Sequence, residues 1–275
     1  MSMENTGGPS VDLGALKVQQ QSAWTDGDYG RIGVTLQPVG ETLAETLALR
    51  PGEAVLDVAA GNGNFSLAAA RRHARTTSID FVSRLLSQGR ARAEAEGLKI
   101  RFRLADAEDL PFADRSFDVT GSVFGVMFTT DPRRAASELL RVTRPGGRIG
   151  LANWTPDSFV GRLFETIGRH VPPPPLLPSP SAWGIRERLD ELFGASSRSI
   201  EIRPRCFVFR DHSPAVWIER FRRDYGPMKR AFESLEPETS REFAEDIEAL
   251  IAGFDRGDGV MVVPSAYVEV VATLR

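Results

Sequence analysis

The chain has little of what would tie it to disulfide chemistry, nucleic acid or a membrane. Cys206 is the only cysteine among 275 residues, so an intrachain disulfide and a cysteine-rich zinc site are both excluded. Lysine is nearly absent too. Lys17, Lys99 and Lys229 stand in a basic total of 34, an arginine bias that reads as genome composition rather than function. The basic residues form no run and the formal net charge is -3, which argues against a nucleic-acid surface. No basic-then-apolar stretch opens the chain and no apolar run reaches membrane-spanning length. A cytoplasmic protein without membrane insertion is the expectation. Core material is ordinary: 41% of the residues are hydrophobic, on a length that suits one large domain or one domain with a substantial cap.

The chain organises around Glu53 to Phe65, Glu-Ala-Val-Leu-Asp-Val-Ala-Ala-Gly-Asn-Gly-Asn-Phe. A short apolar run carries Asp57 near its end and turns through Gly61 and Gly63. Phe65-Ser66-Leu67-Ala68-Ala69-Ala70 then predicts a helix with Asn64 near its N-terminus. Strand, glycine turn and helix let a ligand approach the backbone closely at a helix N-terminus. A dinucleotide fold uses such a turn as well, but it wants Gly-x-Gly-x-x-Gly, and the third place here is Ser66. Asp57 would repel a pyrophosphate, whereas it suits a ligand carrying an ammonium group. S-adenosylmethionine has an α-ammonium, a sulfonium and no phosphate. An ordinary tight βα turn is the plain structural alternative.

Residues 1 to about 12 are small and polar and read as a disordered tail. Helices are predicted over 13–24 and 39–49, the second stopped by Pro51-Gly52. Strands and helices then alternate. A strand at 76–79 ends at Asp80, and a helix over 84–96 takes Ser83 as its cap and Gly97 as its stop. A strand at 100–104 leads to Asp106, one at 117–124 precedes a helix at 132–142, and 148–154 is the fifth strand. After Trp154 helices at 159–170 and 183–193 flank a proline-rich connection at 171–180. A strand at 199–209, helices at 214–225, 228–235 and 238–254, and a strand at 267–274 complete the chain. The predicted fold is α/β, a doubly wound, mostly parallel sheet of seven strands. Three parts follow: a tail and cover helices at 1–50, a ligand-binding core at 51–154, and completion of the sheet with an inserted helical cap (about 213–254) at 155–275.

Ligands of open α/β sheets sit outside the carboxyl ends of the strands. Asp57, Asp80 and Asp106 fall at or just past three such ends. Asp80 is placed to accept both hydroxyls of a ribose. Asp106, beside the Ala107 N–H, is placed to read an adenine edge. Singly each is an ordinary turn or cap aspartate; with the glycine turn they make a site.

Four segments carry a family resemblance: Val55-Leu56-Asp57-Val58-Ala59-Ala60-Gly61-Asn62-Gly63, Asp106-Ala107-Glu108-Asp109-Leu110-Pro111-Phe112, Ser116-Phe117-Asp118, and Glu138-Leu139-Leu140-Arg141-Val142-Thr143-Arg144-Pro145-Gly146-Gly147. From about Pro51 to Trp154 the chain resembles the class I S-adenosylmethionine-dependent methyltransferases, in the branch that includes the quinone-biosynthesis C-methyltransferases. The resemblance implies S-adenosylmethionine as cofactor. It puts Asp57 and the loop of Gly61 and Gly63, with Ala59 and Asn64, on the methionine part. Asp80, with Phe81 beside it, falls on the ribose, and Asp106 with Ala107 on the adenine. Ala59 departs from the family's usual glycine, at little cost if its φ is negative. Related enzymes cover the cofactor with an N-terminal helix and loop, often with an aromatic side chain near its carboxylate. Trp24 and Tyr29 are the candidates, with simple packing as the plainer role.

Methyl transfer needs alignment and exclusion of water, and no metal or covalent intermediate. A base helps an acceptor that must lose a proton. His170, His212, Glu165 and Tyr225 are weighed for it, His73 reads as surface, and no catalytic residue is assigned. After the fourth strand the chain lacks the Asn/Asp-Pro-Pro-aromatic signature of the enzymes of this fold that methylate base or amide nitrogens. Phe124, Met127 and Phe128 imply an apolar wall instead. With the cap residues Phe221 and Tyr225, Phe124 and Met127 form the expected substrate-binding set, for a small apolar or aromatic methyl acceptor of secondary metabolism or quinone synthesis. Aromatic residues at helical spacing equally make a core. Two other readings stand beside this one: a non-catalytic module that keeps the fold, and a nicotinamide-dependent oxidoreductase, which Asp57 and Ser66 disfavour. A homodimer is left open.

Overall fold

The computed structural model describes residues 12–174 and 177–275. The tail expected over residues 1–11, and residues 175–176 of the proline-rich connection, lie outside the described residues. Helices α1 (Leu13–Thr25), α2 (Tyr29–Gly33) and α3 (Gln37–Thr46) precede β1 (Ala54–Val58). There follow α4 (Asn64–Arg71), β2 (Arg75–Asp80), α5 (Ser83–Ala95), β3 (Ile100–Leu104) and β4 (Phe117–Val123). Next come α6 (Pro132–Val142), β5 (Thr143–Trp154), α7 (Phe159–His170), α8 (Arg186–Phe193) and β6 (Ser197–Asp211). Helices α9 (Pro214–Asp224), α10 (Gly226–Ser234) and α11 (Pro237–Phe254) stand between β6 and β7 (Met261–Leu274).

The strands form one sheet in the order β3-β2-β1-β4-β5-β7-β6, with β7 antiparallel to both neighbours and the other pairings parallel. This is the doubly wound, mostly parallel seven-stranded architecture that the alternating pattern predicts. β1 is buried along its whole length, as a central parallel strand covered on both faces must be. On one face Leu43, Leu47, Phe65 and Ala68 pack against Val55 and Val119. On the other, Leu56, Val58, Ile79 and Leu139 belong to the larger core. The strand order reverses between β1 and β4, and the crevice outside their carboxyl ends is where such a sheet takes a ligand.

The acidic and basic residues of the quoted segments have mechanical roles in this fold. Glu138 accepts the Leu110 N–H at 2.6 Å and pairs with Arg141, which donates to the Leu110 and Phe112 carbonyls. Together they pin the loop after Asp106. Asp118 accepts the Ala54 N–H at 2.7 Å and so fixes the start of β1.

Two expectations are corrected. Ser83 does not cap α5: the helix begins at Ser83, Val82 holds the cap position, and no side chain caps it. The last strand starts at Met261 rather than 267. Residues 261–266 pair with β6 alone, while β5 is reached only from Tyr267 onward, so Pro264 is tolerated on a locally exposed edge.

Candidate cofactor cleft and the aromatic cavity beside it

Between β1 and α4 the backbone passes through three left-handed residues: Ala59 at φ 52, Gly61 at φ 56 and Gly63 at φ 84. The inexpensive reading of Ala59 required a negative φ. Its φ is positive, a conformation that costs an L-residue about 1–2 kcal/mol. Gly125 shows how tightly the loop is held from above, since a Cβ there would fall 2.3 Å from the Ala59 carbonyl oxygen.

The loop frames a cleft of about 890 Å³, counted out to open solvent. Asp57 lies on its floor, 1% exposed. Its Oδ2 accepts the Ser66 N–H at 2.8 Å and the Ser66 hydroxyl at 2.6 Å, while Oδ1 has no partner. Burial raises its pKa to about 7 against the opposing pull of the Ser66 bonds, and the nearby Asp80 adds to the rise. Asp80 accepts the Gly61 N–H on Oδ2 and the Val82 N–H on Oδ1, each at 2.8 Å. Burial brings it to about 6, opposed by those backbone donors. Each Asp80 oxygen keeps a second lone pair. Asp106 accepts the Glu108 N–H at 2.9 Å and pairs with Lys17 at 2.6 Å, and Lys17 also reaches Glu108 at 2.6 Å. Among the described residues, four carboxylates thus line the cleft against one cation, Lys17. That balance repels a pyrophosphate and favours a positively charged ligand.

The cover segment is tied down by polar contacts. Asn62 Nδ2 donates to the Gly30 carbonyl at 3.1 Å and Asn64 Nδ2 to the Gly33 carbonyl at 2.6 Å. A Cβ on Gly61 would lie 3.7 Å from Tyr29 Cε1, so the ring sits over the glycine loop. α1 buries none of its residues. Besides Lys17 it is held by Gln21, which donates to the Phe81 carbonyl at 2.6 Å, and by the Lys229–Asp26 pair at 2.5 Å beyond its C-terminus.

A second cavity, about 460 Å³ counted out to open solvent, shares Trp24, Tyr29, Leu36, Phe124 and Phe128 with the cleft. Phe124 adopts φ 54 and stacks on Trp154 at 3.9 Å, a strained conformation of the sort that collects at functional sites. Trp24 meets Tyr29, Phe128 and Tyr225 edge to face at 5.1, 5.0 and 5.6 Å. From α9, Trp217 stacks on Phe221 at 3.8 Å.

The residues expected from sequence divide as follows. Asp57, Ala59, Gly61, Asn64, Asp80, Phe81, Asp106, Ala107 and Tyr29 all line the cleft. Gly63 does not; it shapes the turn from the α4 N-cap position. Phe124, Phe221 and Tyr225 line the aromatic cavity. Met127 lines neither and is buried at 2% exposure, with its neighbour Phe128 taking the wall position. Of the weighed bases, His170 pairs with Asp246 at 2.9 Å and Glu165 with Arg162 at 2.8 Å. Neither they nor His212 line the cleft or the cavity. Lys17, Gln20, Asn62, Glu108 and Thr129 line the cleft unanticipated.

Sheet order and crevice together are those of a Rossmann-like methyltransferase. Residues 56–151 match the family described as methyltransferase domain. An uncharacterized protein of Mycobacterium tuberculosis is 38% identical over 230 residues, covering 82% of this chain and 84% of its own length. The demethylmenaquinone methyltransferase of Clavibacter sepedonicus is 39% identical over 135 residues, 48% of this chain and 55% of that protein. Among solved structures the YcgJ protein of Bacillus subtilis superposes with a TM-score of 0.59 at 21% identity, over 85% of this chain and 97% of its own, a likeness of fold. The chain belongs to the class I S-adenosylmethionine-dependent methyltransferases, enzymes for which S-adenosylmethionine is the methyl donor.

Proposed function

We propose that the protein transfers the methyl group of S-adenosylmethionine to a small, largely apolar or aromatic molecule bound in the aromatic cavity. The observation that carries this is the unpartnered Asp57 Oδ1, buried on the floor of a cleft that shares a wall with that cavity. A buried carboxylate oxygen without a partner is costly, and the α-ammonium of the cofactor relieves it. Asp80 accepts the ribose hydroxyls on its free lone pairs while keeping Gly61 and Val82. Asp106 and Ala107 take the adenine edge, the carboxylate being shared with Lys17. Trp24 and Tyr29 stand over the methionine end. The cofactor supplies an electrophilic methyl group, and the apolar walls exclude water and hold the acceptor in line.

In this reading the segment before residue 51 is the cofactor cover, 51–154 the cofactor core, and 213–254 the acceptor cap. The enzyme works in the cytoplasm on a free small molecule, without nucleic acid or membrane insertion. No helix among the described residues is long and apolar enough to cross a membrane. The test is calorimetry with S-adenosylhomocysteine and with nicotinamide dinucleotides, followed by transfer of labelled methyl groups into an apolar metabolite extract. Tighter binding of a dinucleotide overturns the cofactor assignment; cofactor binding with no labelled product leaves a binding module.

A further inference from the structure

The aromatic cavity limits the chemistry of what it can hold; the inference drawn from this rests on the methyl-transfer reading above. Ten of its fourteen lining side chains are aromatic, and the other four are Ile32, Leu36, Val160 and Leu163. None carries a carboxylate, an imidazole, an ammonium or a guanidinium. Among the described residues its only ionisable groups are the phenols of Tyr29 and Tyr225. Burial pushes both well above the ordinary phenol range, each with a smaller contribution from a neighbour, Asp80 for Tyr29 and Tyr29 for Tyr225. Both phenols therefore stay protonated at neutral pH and act as hydrogen-bonding groups rather than bases. Across the shared wall, Asp57 and Asp80 belong to the cofactor.

A phenol or a carbon acid must lose a proton before it attacks a methyl group. The described residues of this cavity supply no group to take that proton and no cation to hold the anion left behind. A neutral amine needs neither, because its nitrogen already carries a lone pair. The ring faces suit the product as well. Transfer from a sulfonium to an amine moves one positive charge from sulfur to nitrogen, and aromatic faces attract a cation through their quadrupole. They offer an anion nothing comparable.

We propose that the cavity takes a hydrophobic amine in its neutral form, and that Trp24, Tyr29, Phe128 and Tyr225 cage the ammonium produced. The nitrogen lone pair forms the new C–N bond as the C–S bond breaks, and the electron pair of that bond stays on sulfur. A primary or secondary amine sheds its extra N–H proton to water after release, while a tertiary amine leaves as a quaternary ammonium. The lone pair must be localised on nitrogen. The amide-like nitrogens of bases and glutamine are poor fits, in keeping with the missing Asn/Asp-Pro-Pro-aromatic segment after β4.

The experiment uses the full chain saturated with S-adenosylhomocysteine, titrated with benzyltrimethylammonium and with its uncharged isostere neopentylbenzene. The two differ in charge and hardly in shape. The cation is expected to bind at least about tenfold more tightly, the advantage of a desolvated cation–π cage. Tyr225→Leu, at a residue that lines the aromatic cavity and not the cofactor cleft, should shrink that advantage severalfold while S-adenosylhomocysteine affinity holds. If the neutral isostere binds as well as the cation, or if neither binds, the amine assignment is overturned while the cofactor site stands. Failure of S-adenosylhomocysteine to bind at the outset would instead overturn the methyl-transfer reading itself.

Discussion

The cleft floor and the aromatic cavity share a wall, yet they are built by opposite rules. The floor buries Asp57 and Asp80, holds each by backbone or hydroxyl donors, and leaves one carboxylate oxygen unpaired. The cavity buries no charged side chain among the described residues. Polar strain in the first region makes a demand that only a ligand of one sign can meet. The second has no such demand and selects by shape, apolar surface and the electrostatics of ring faces. In the proposed reading, donor recognition sits at the ends of β1, β2 and β3 under the cover of α1 and α2. The cavity proposed for the acceptor is assembled from α1, α2, β5, β6, α7, α9 and the segment after β4.

Asp57→Asn should separate the two regions most sharply. S-adenosylhomocysteine affinity is expected to fall by about 3 kcal/mol, roughly 150-fold, with the loss of a charge-assisted contact. Thermal stability without ligand should hold or rise, because a buried and half-paired carboxylate is removed. Loss of both in calorimetry and melting would make Asp57 a structural member only. Asp80→Ala comes next, at about 2 kcal/mol in the same titration. This variant should also melt lower, since the Gly61 and Val82 N–H groups lose their acceptor; an unchanged melting temperature would contradict the geometry. In the cavity the pattern reverses. Phe221→Leu should cost about 1 kcal/mol of stability through loss of the Trp217 stack and alter the labelled products formed from an extract, with cofactor affinity within about threefold. Loss of cofactor binding there would erase the distinction between the regions. The smallest effect belongs to Lys17→Ala. Its ion pairs are partly exposed and worth under about 1 kcal/mol. Faster cofactor release in stopped flow, with the difference fading at high salt, is the expected sign that α1 is latched by charge.

The same contrast explains what the sequence made legible. Asp57, Asp80 and Asp106 were readable because spacing along alternating strands and helices places strand ends side by side. The sheet was readable for the same reason. Lys17 was not, because it reaches an acid 89 residues away, and no local pattern encodes that contact. Ala59 was misjudged because its φ is set by the packing of Gly125 and the loop rather than by its own preference. Met127 and Phe128 sit in one short turn, Val126–Phe128, where a single step of register decides which side chain faces the cavity. Trp217, Phe221 and Tyr225 recur at helical spacing, which a core and a pocket wall share. Only the placement of α9 against Trp24 and Tyr29 distinguishes them.

In the proposed reading the buried, unpaired Asp57 carboxylate receives the cofactor's ammonium. Its folded pKa is raised to about 7. Its contribution to stability is therefore full below the ordinary carboxylate value near 4 and lost as pH rises through about 7. Binding of an ammonium runs the other way, because it requires the ionised form. The most direct measurement is the affinity for S-adenosylhomocysteine as a function of pH, for the natural protein and for Asp57→Asn. Affinity should climb by up to about tenfold per pH unit, level off above about 7, and keep only a shallower step near 6 from Asp80 in the variant. A flat profile in the natural protein, or the same climb in Asp57→Asn, would contradict the account.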